Sequence, residues 1–240
     1  MEQSKAIVMG ASSGMGKELA RILSRNHYIV GLAARRRNLL EELQKELPGP
    51  SYIKQIDVRR FADAANDFRE LIAAMGGVDL VIISSGYGDY NPQLKWEIEK
   101  ETIDVNVSGF TLIADIAFQY FLEKGSGQLA GISSVAALRG NRSDPAYSAS
   151  KAYVSNYLEG LRQKAVRAHR PIVITDIKPG FVKTTMSKGG RLFWQATAAE
   201  AAAQIFAAIR RRKKIAYITR RWRLIAWLMK IAPDWLYNRI

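Results

Sequence analysis

Tyr147-Ser148-Ala149-Ser150-Lys151 sets a phenol and an ammonium four residues apart. On a helix that spacing puts both side chains on one face, within reach of each other. A free tyrosine has a pKa near ~10, too high for proton exchange at neutral pH. An adjacent cation favours the phenolate and lowers that value. The chemistry on offer is general acid/base work on a substrate oxygen. Many helices carry such a pair with no chemical purpose, so its surroundings must decide. Ser134 closes the apolar run ending Ile132-Ser133-Ser134, thirteen residues before Tyr147, and can offer a hydroxyl to the same oxygen. Asn106, in Asp104-Val105-Asn106-Val107-Ser108-Gly109, reads equally as a polar residue on a helix face. With no cysteine there is no thiolate nucleophile, thiolate metal site or disulfide. The two histidines, His27 before a strand and His169 at a helix end, make a Ser-His-Asp triad or a histidine metal site hard to assemble, and no metal is expected.

A second constellation lies at the amino end. The apolar run 6–9 leads into Gly10-Ala11-Ser12-Ser13-Gly14-Met15-Gly16, and a helical pattern follows. Glycines permit a tight turn and close backbone approach, and a helix N-terminus offers free N–H groups and a positive dipole end to a pyrophosphate. Gly10, Ser12, Ser13, Gly14, Met15 and Gly16 are therefore candidate contacts. Such spacing occurs in ligand-free turns too, but its place between the first strand and first helix favours a dinucleotide. The run 28–33 ends in Ala34-Arg35-Arg36-Arg37, where an acid would serve an unphosphorylated ribose. Guanidinium groups there suit a 2′-phosphate, and cations at a helix start are otherwise disfavoured. The expected cofactor is NADP, held by Arg35 first and Arg36 second.

The elements that must position these residues follow from periodicity. Apolar runs at 6–9, 28–33, 52–56, 78–83, 128–133, 172–177 and 215–219 read as strands. Helical patterns at 14–25, 36–47, 61–75, 102–124, 145–168 and 198–212 separate most of them. Strands without strict alternation belong to a sheet covered on both sides. The fold class expected is α/β: a Rossmann-type doubly wound parallel β-sheet of about seven strands with helices on both faces. Ser134 then falls at a strand's carboxyl end, where such sheets bind ligands. Residues 1–219 are expected to form a single nucleotide-binding domain holding the catalytic site and a substrate lid at about 185–197, and residues 220–240 a basic, aromatic C-terminal extension.

Taken in order, Gly10-xxx-Gly14-x-Gly16, Asp57-Val58, Asn106, Ser134, Tyr147-xxx-Lys151 and Pro179-Gly180-Phe181-Val182-Lys183-Thr184 resemble the motifs of the short-chain dehydrogenase/reductase family. The resemblance spans roughly residues 5–185. It implies that Ser134 and Tyr147 hold the oxygen of a carbonyl or alcohol and that Tyr147 exchanges the proton. Lys151 would tune Tyr147 and hold the nicotinamide ribose, and Asn106 would keep a water in a relay to Lys151. Asp57 would hydrogen-bond near the adenine with Val58 beside the ring, and Pro179, Gly180, Val182 and Thr184 would cover the nicotinamide. It also implies a homodimer or homotetramer. One departure stands out. The family usually has Asn-Ala-Gly after the fourth strand, where this chain has Ser84-Ser85-Gly86; Ser85 and Gly86 remain cofactor candidates, and the change bears on hydrogen bonding in the central sheet. The rival class is a catalytically silent NADP-binding regulator or scaffold, against which the complete Ser134, Tyr147 and Lys151 set argues.

Met186, Phe193 and Trp194, beside Gly189-Gly190, suit a mobile lid over an apolar substrate, or packing on the body. Of the net charge of +14, residues 210–240 contribute +9, from ten Lys/Arg against Asp234. Leu224, Trp227, Leu228 and Ile231 recur there at helical spacing. That segment can dock on the domain or a second subunit, or lie on an anionic membrane surface. A nucleic-acid partner is disfavoured, because the charge lies in the tail rather than on a reading helix. No signal peptide and no uninterrupted 18-residue apolar run is evident, so a cytoplasmic protein, peripheral to a membrane if the tail binds one, is the expectation.

Overall fold

The computed structural model describes residues 3–183 and 194–237. Seven strands form one parallel sheet in the order β3-β2-β1-β4-β5-β6-β9. They are β1 (Lys5–Met9), β2 (Ile29–Ala34), β3 (Ser51–Gln55), β4 (Leu80–Ile83), β5 (Gly127–Ile132), β6 (Ile172–Pro179) and β9 (Ile215–Ile218). The chain starts in the interior strand β1, winds outward to β3, then crosses back to β4 on the other side of β1. This reversal between β1 and β4 opens a crevice at their carboxyl ends.

Alternate residues of each strand feed two cores. Ile7 and Met9 point to the layer of α3 (Phe61–Ala74), α5 (Phe110–Lys124) and α6 (Pro145–Arg167), with Phe68, Phe110 and Leu158. Ala6 and Val8 point to α1 (Gly14–Arg25), α2 (Arg37–Glu46) and α7 (Ala198–Arg210), with Leu19, Leu40 and Ile205. Both faces are therefore apolar, which is why the strands read as continuous runs.

The helix expected at 102–124 begins six residues earlier. α4 (Trp96–Ile103) runs through one π-helical turn at Asp104–Gly109 into α5. The charged stretch Trp96-Glu97-Ile98-Glu99-Lys100-Glu101 hid its start. Asn91 braces that start, accepting from the Lys95 N–H at 2.9 Å and donating to the Lys95 carbonyl at 3.1 Å. The unit Trp96–Lys124 is the one described helix long and apolar enough to cross a membrane. Here it is a core helix: Phe110, Ile113, Ala114, Ala117 and Phe121 are buried against the sheet.

Past β6, β7 (Val182–Lys183) pairs with β8 (Ala196–Thr197). Thr197 then caps α7, its hydroxyl accepting from the Glu200 N–H while Glu200 accepts from the Thr197 N–H. The tail folds as α8 (Trp222–Ile231) and α9 (Asp234–Tyr237).

Candidate active site

The glycine-rich turn joins β1 to α1 at the crevice. Gly10 has φ +86°, and a Cβ there would lie 2.6 Å from the Ser85 nitrogen; one on Gly16 would lie 2.2 Å from the Gly10 carbonyl oxygen. Only glycine lets the two chain segments approach this closely. Ser13, the N-cap of α1, makes no side-chain cap bond, and no acid stands in the first turn. The helix start thus keeps its N–H groups and positive dipole for a ligand. Ser12, Ser13, Gly14 and Met15 line the same cleft as Arg35, Arg36, Val58, Ser85 and Gly86.

The two arginines divide. Arg36 lies over the turn, donating to the Ser12 and Ser13 hydroxyls at 2.9 and 2.8 Å. Arg35, the contact expected to lead, is turned toward Glu101 at 3.4 Å. Glu101 also receives Arg59 at 3.1 Å, and Arg59 holds Asp57 at 2.6 Å. The Arg59 hydrogen bond keeps the Asp57 carboxyl below its ordinary range. Val58 packs against Gly109, where a Cβ would come within 2.8 Å of it.

At the Ser84-Ser85-Gly86 departure, the Ser84 N–H still donates to the Met9 carbonyl at 2.8 Å, so the main chain carries the link between β1 and the segment after β4. The Ser85 hydroxyl is buried with no hydrogen-bond partner. An orphaned buried hydroxyl is costly unless a ligand satisfies it. The tight glycine turn, uncapped helix start, Ser85 hydroxyl and Arg36 together fit a dinucleotide.

Next to this cleft, α6 presents Tyr147 and Lys151. Proline at its first turn suits a helix start. The Tyr147 phenol faces Ser134, which stands at the carboxyl end of β5 and accepts from the Ala136 N–H at 3.1 Å. Burial pushes the Tyr147 phenol above its ordinary range; Ser134 opposes that, and the Asp144 charge adds to it. The expected lowering by Lys151 is not what the geometry delivers. The Lys151 ammonium stands 5.6 Å from the centre of the Tyr147 ring and donates to the Ile132 carbonyl at 3.1 Å. Burial lowers Lys151 itself to about 8, with Asp176 opposing.

Asn106 sits in the π turn, a wider coil that re-aims its side chain. Its amide donates to the Tyr87 carbonyl at 2.7 Å and the Ser150 hydroxyl at 3.0 Å, and its oxygen accepts from the Tyr87 N–H at 2.8 Å. A Cβ on Gly86 would lie 3.4 Å from the Lys151 ammonium and 3.5 Å from the Asn106 oxygen, so the three meet at one point.

Several residues join the site unannounced by any motif. Gly88 lies against the Tyr147 ring, where a Cβ would come within 2.5 Å. Asp144, the N-cap of α6, is half-buried, and burial followed by the Glu99 charge raises its carboxyl to about 6. Behind Lys151, Asp176 and Lys178 form a buried ion pair at 2.9 Å on β6. Ser155 of α6 donates to Asp176 at 2.7 Å and accepts from Lys178 at 2.5 Å, while Ser133 also donates to Asp176. The sequence signal was available: two charges two residues apart, on one face of an otherwise apolar strand.

The segment after β6 reaches the same rim. The Pro179 carbonyl faces the Ser134 hydroxyl at 3.5 Å, the Gly180 N–H donates to the Ile218 carbonyl at 2.6 Å, and Val182 is buried in β7. Thr184 and the lid residues Met186 and Phe193 lie outside the described residues. Trp194 is described, with the Arg221 guanidinium 5.2 Å from its ring centre.

A parallel sheet with a glycine-rich turn at its switch point and a serine, a tyrosine and a lysine beside it marks a class of nucleotide-dependent enzyme. The family model for short chain dehydrogenases matches residues 4–192. An uncharacterized oxidoreductase of Myxococcus xanthus is 35% identical over 192 residues, covering 78% of this chain and 75% of its own. One from Mycobacterium tuberculosis is 34% identical over 194 residues, covering 77% and 76%. The fold is that of a short-chain dehydrogenase from Sphingobium yanoikuyae solved with NADPH, at a TM-score of 0.80 and 21% identity over 96% of this chain and 97% of that one. It is equally that of ElxO with NADP bound, at 0.78 and 17% over 90% and 97%. The chain belongs to the short-chain dehydrogenase/reductase family. It is an oxidoreductase of that family, which uses nicotinamide cofactors and acts on small molecules.

Proposed function

We propose that the protein interconverts a carbonyl compound and an alcohol, uses NADP(H), and employs Tyr147 as its acid/base. One observation carries this reading: the Tyr147 phenol, facing Ser134, stands beside Lys151 at the end of β5, next to the dinucleotide cleft. A binding protein has no need of that set, which argues against the silent regulator.

In reduction, Ser134 and Tyr147 donate hydrogen bonds to the substrate oxygen and fix the carbonyl over the cleft. The bound dinucleotide supplies the hydride to the carbonyl carbon. Tyr147 gives the oxygen its proton, and oxidation reverses the transfer. Burial keeps Tyr147 protonated at neutral pH, the form an acid must have, and Lys151, at about 8, stays mainly charged there. That charge steadies the phenolate left behind. Gly88 and Ser134 fix the ring and hydroxyl of Tyr147, and Asn106 ties the segment after β4 to α6. The preference for NADP rests on Arg36 at the serine hydroxyls, with Arg35 alongside, and the NADP- and NADPH-bound relatives in fold are consistent with it. We propose also that it is a homo-oligomer acting on an apolar carbonyl in the cytoplasm, peripheral to a membrane if the tail binds one.

Titration with NADPH and NADH, followed by cofactor and tryptophan fluorescence, tests the cofactor. Tight NADPH and weak NADH binding are expected. The Tyr147→Phe variant tests the chemistry. It retains NADPH binding and loses about 1000-fold or more in carbonyl-dependent NADPH oxidation. Normal turnover by that variant would remove Tyr147 from its role.

A further inference from the structure

The tail helix α8 has two apolar faces. One is docked: Trp222 and Ala226 are buried, and the Trp222 ring meets Phe181 edge-on at 5.2 Å. Trp222 lies so close to Gly180 that a Cβ there would come within 2.0 Å of the indole. The other face carries Leu224, Trp227, Leu228 and Ile231, spaced i, i+3, i+4, i+7, and each is 45–58% exposed. A helix surface that binds only water would carry polar residues at that spacing.

Charge surrounds this face. Arg220, Arg221 and Arg223 cluster at the start of α8, with no acid in its first turn. The helix dipole disfavours cations at that end, so an external anion would relieve the arrangement. Beside it, Arg211, Lys213, Arg220 and Arg223 line a cleft between α7, β9 and α8. Asp234, the tail's sole acid, is paired with Arg139 at 2.6 Å.

Arg139 also fastens the tail to the catalytic rim. It donates to the Ala232 carbonyl at 2.9 Å and lies 4.4 Å from the centre of the Tyr237 ring. It stands five residues after Ser134, so α8 is fastened beside the site.

We infer that the exposed face of α8, with its basic margin, is a docking surface for an anionic lipid bilayer. The four apolar side chains enter the headgroup–acyl boundary, and the arginine and lysine cleft takes lipid phosphates. A second copy fits the same face poorly, because its tail would bring another +9 against the first. Duplex nucleic acid would satisfy the charge but leave Leu224, Trp227, Leu228 and Ile231 in water. Docking of this kind is independent of the reaction class proposed above.

Co-sedimentation of the full chain with phosphatidylcholine vesicles, with and without phosphatidylglycerol, is the test. Wild type is expected to partition at least about tenfold more strongly into the anionic vesicles, and less so in high salt. Trp227→Ser with Leu228→Ser, and separately Arg220→Gln with Arg223→Gln, should each weaken that partition by about tenfold. Circular dichroism identical to wild type shows that each variant folds. Equal partition of wild type and the Trp227→Ser/Leu228→Ser variant overturns the inference. So does a dimer that this variant splits while vesicles remain unbound, which assigns the face to a second copy. Binding to duplex DNA tighter than to anionic vesicles, unchanged by the apolar substitutions, overturns it as well.

Discussion

On the β3-β2-β1 side of the sheet the charged groups meet solvent. Arg35 and Arg59 leave 47% and 38% of their side chains exposed, and Arg36 lies over two serine hydroxyls at the surface. On the β5-β6 side, Lys151, Asp176 and Lys178 are 6%, 1% and 4% exposed. The first side offers a ligand backbone geometry and screened charges, each worth little to stability. The second holds charge in the interior, where every ion must be matched or the fold loses energy. The nucleotide side should therefore tolerate substitution at the cost of affinity, and the reaction side should not tolerate it.

The largest expected loss of stability comes from Lys178→Met, which leaves Asp176 buried without its 2.9 Å partner. About 3–5 kcal/mol should be lost in urea denaturation, and Asp176→Asn in the same chain should recover much of it. A loss under 1 kcal/mol would mean that the pair is solvated and the contrast between the two sides false.

Arg36→Ala sharpens the comparison from the other end. It should weaken NADPH binding by about tenfold, leave NADH binding nearly unchanged and barely move the denaturation midpoint. Arg35→Ala should do less, because Arg35 is engaged with Glu101. The reverse order, read by fluorescence titration, would return the leading role to Arg35.

The smallest effect is pH-dependent. Asp144 is raised from 3.8 to about 6 by burial, so the folded chain holds that proton more tightly than the unfolded chain does. Its burial therefore costs nothing below pH 3.8, and the cost grows between 3.8 and about 6 and stays constant above. Asp144→Asn should raise the melting temperature by a few degrees at pH 8 and leave it nearly unchanged at pH 4. A shift equal at both pH values would show that Asp144 titrates normally.

Much of the site was legible because its parts are local. The glycine turn, the Tyr147–Lys151 spacing and Ser134 at a strand end each follow from a few adjacent residues and one periodic element. The π turn at Asp104–Gly109 was not, since it depends on Asn106 reaching Tyr87 and on Gly109 meeting Val58, which lie far apart in the chain. Gly88 was passed over for the same reason: a glycine in a loop has no visible purpose until a ring lies on it. The tail read as an amphipathic helix, but its pattern could not show that Trp222 and Ala226 face inward while Trp227 and Leu228 face out.

By itself, then, the sequence determined the order of strands and helices, the basic tail and the residue types able to do chemistry, because periodicity, turn residues and charge act over short stretches of chain. Only the tertiary structure decided the electrostatics: that Tyr147 is raised rather than lowered, that Lys151 sits near 8 facing the Ile132 carbonyl, and that Arg36 rather than Arg35 covers the phosphate turn. Those outcomes depend on desolvation and on partners brought together from distant segments, quantities that no local spacing encodes.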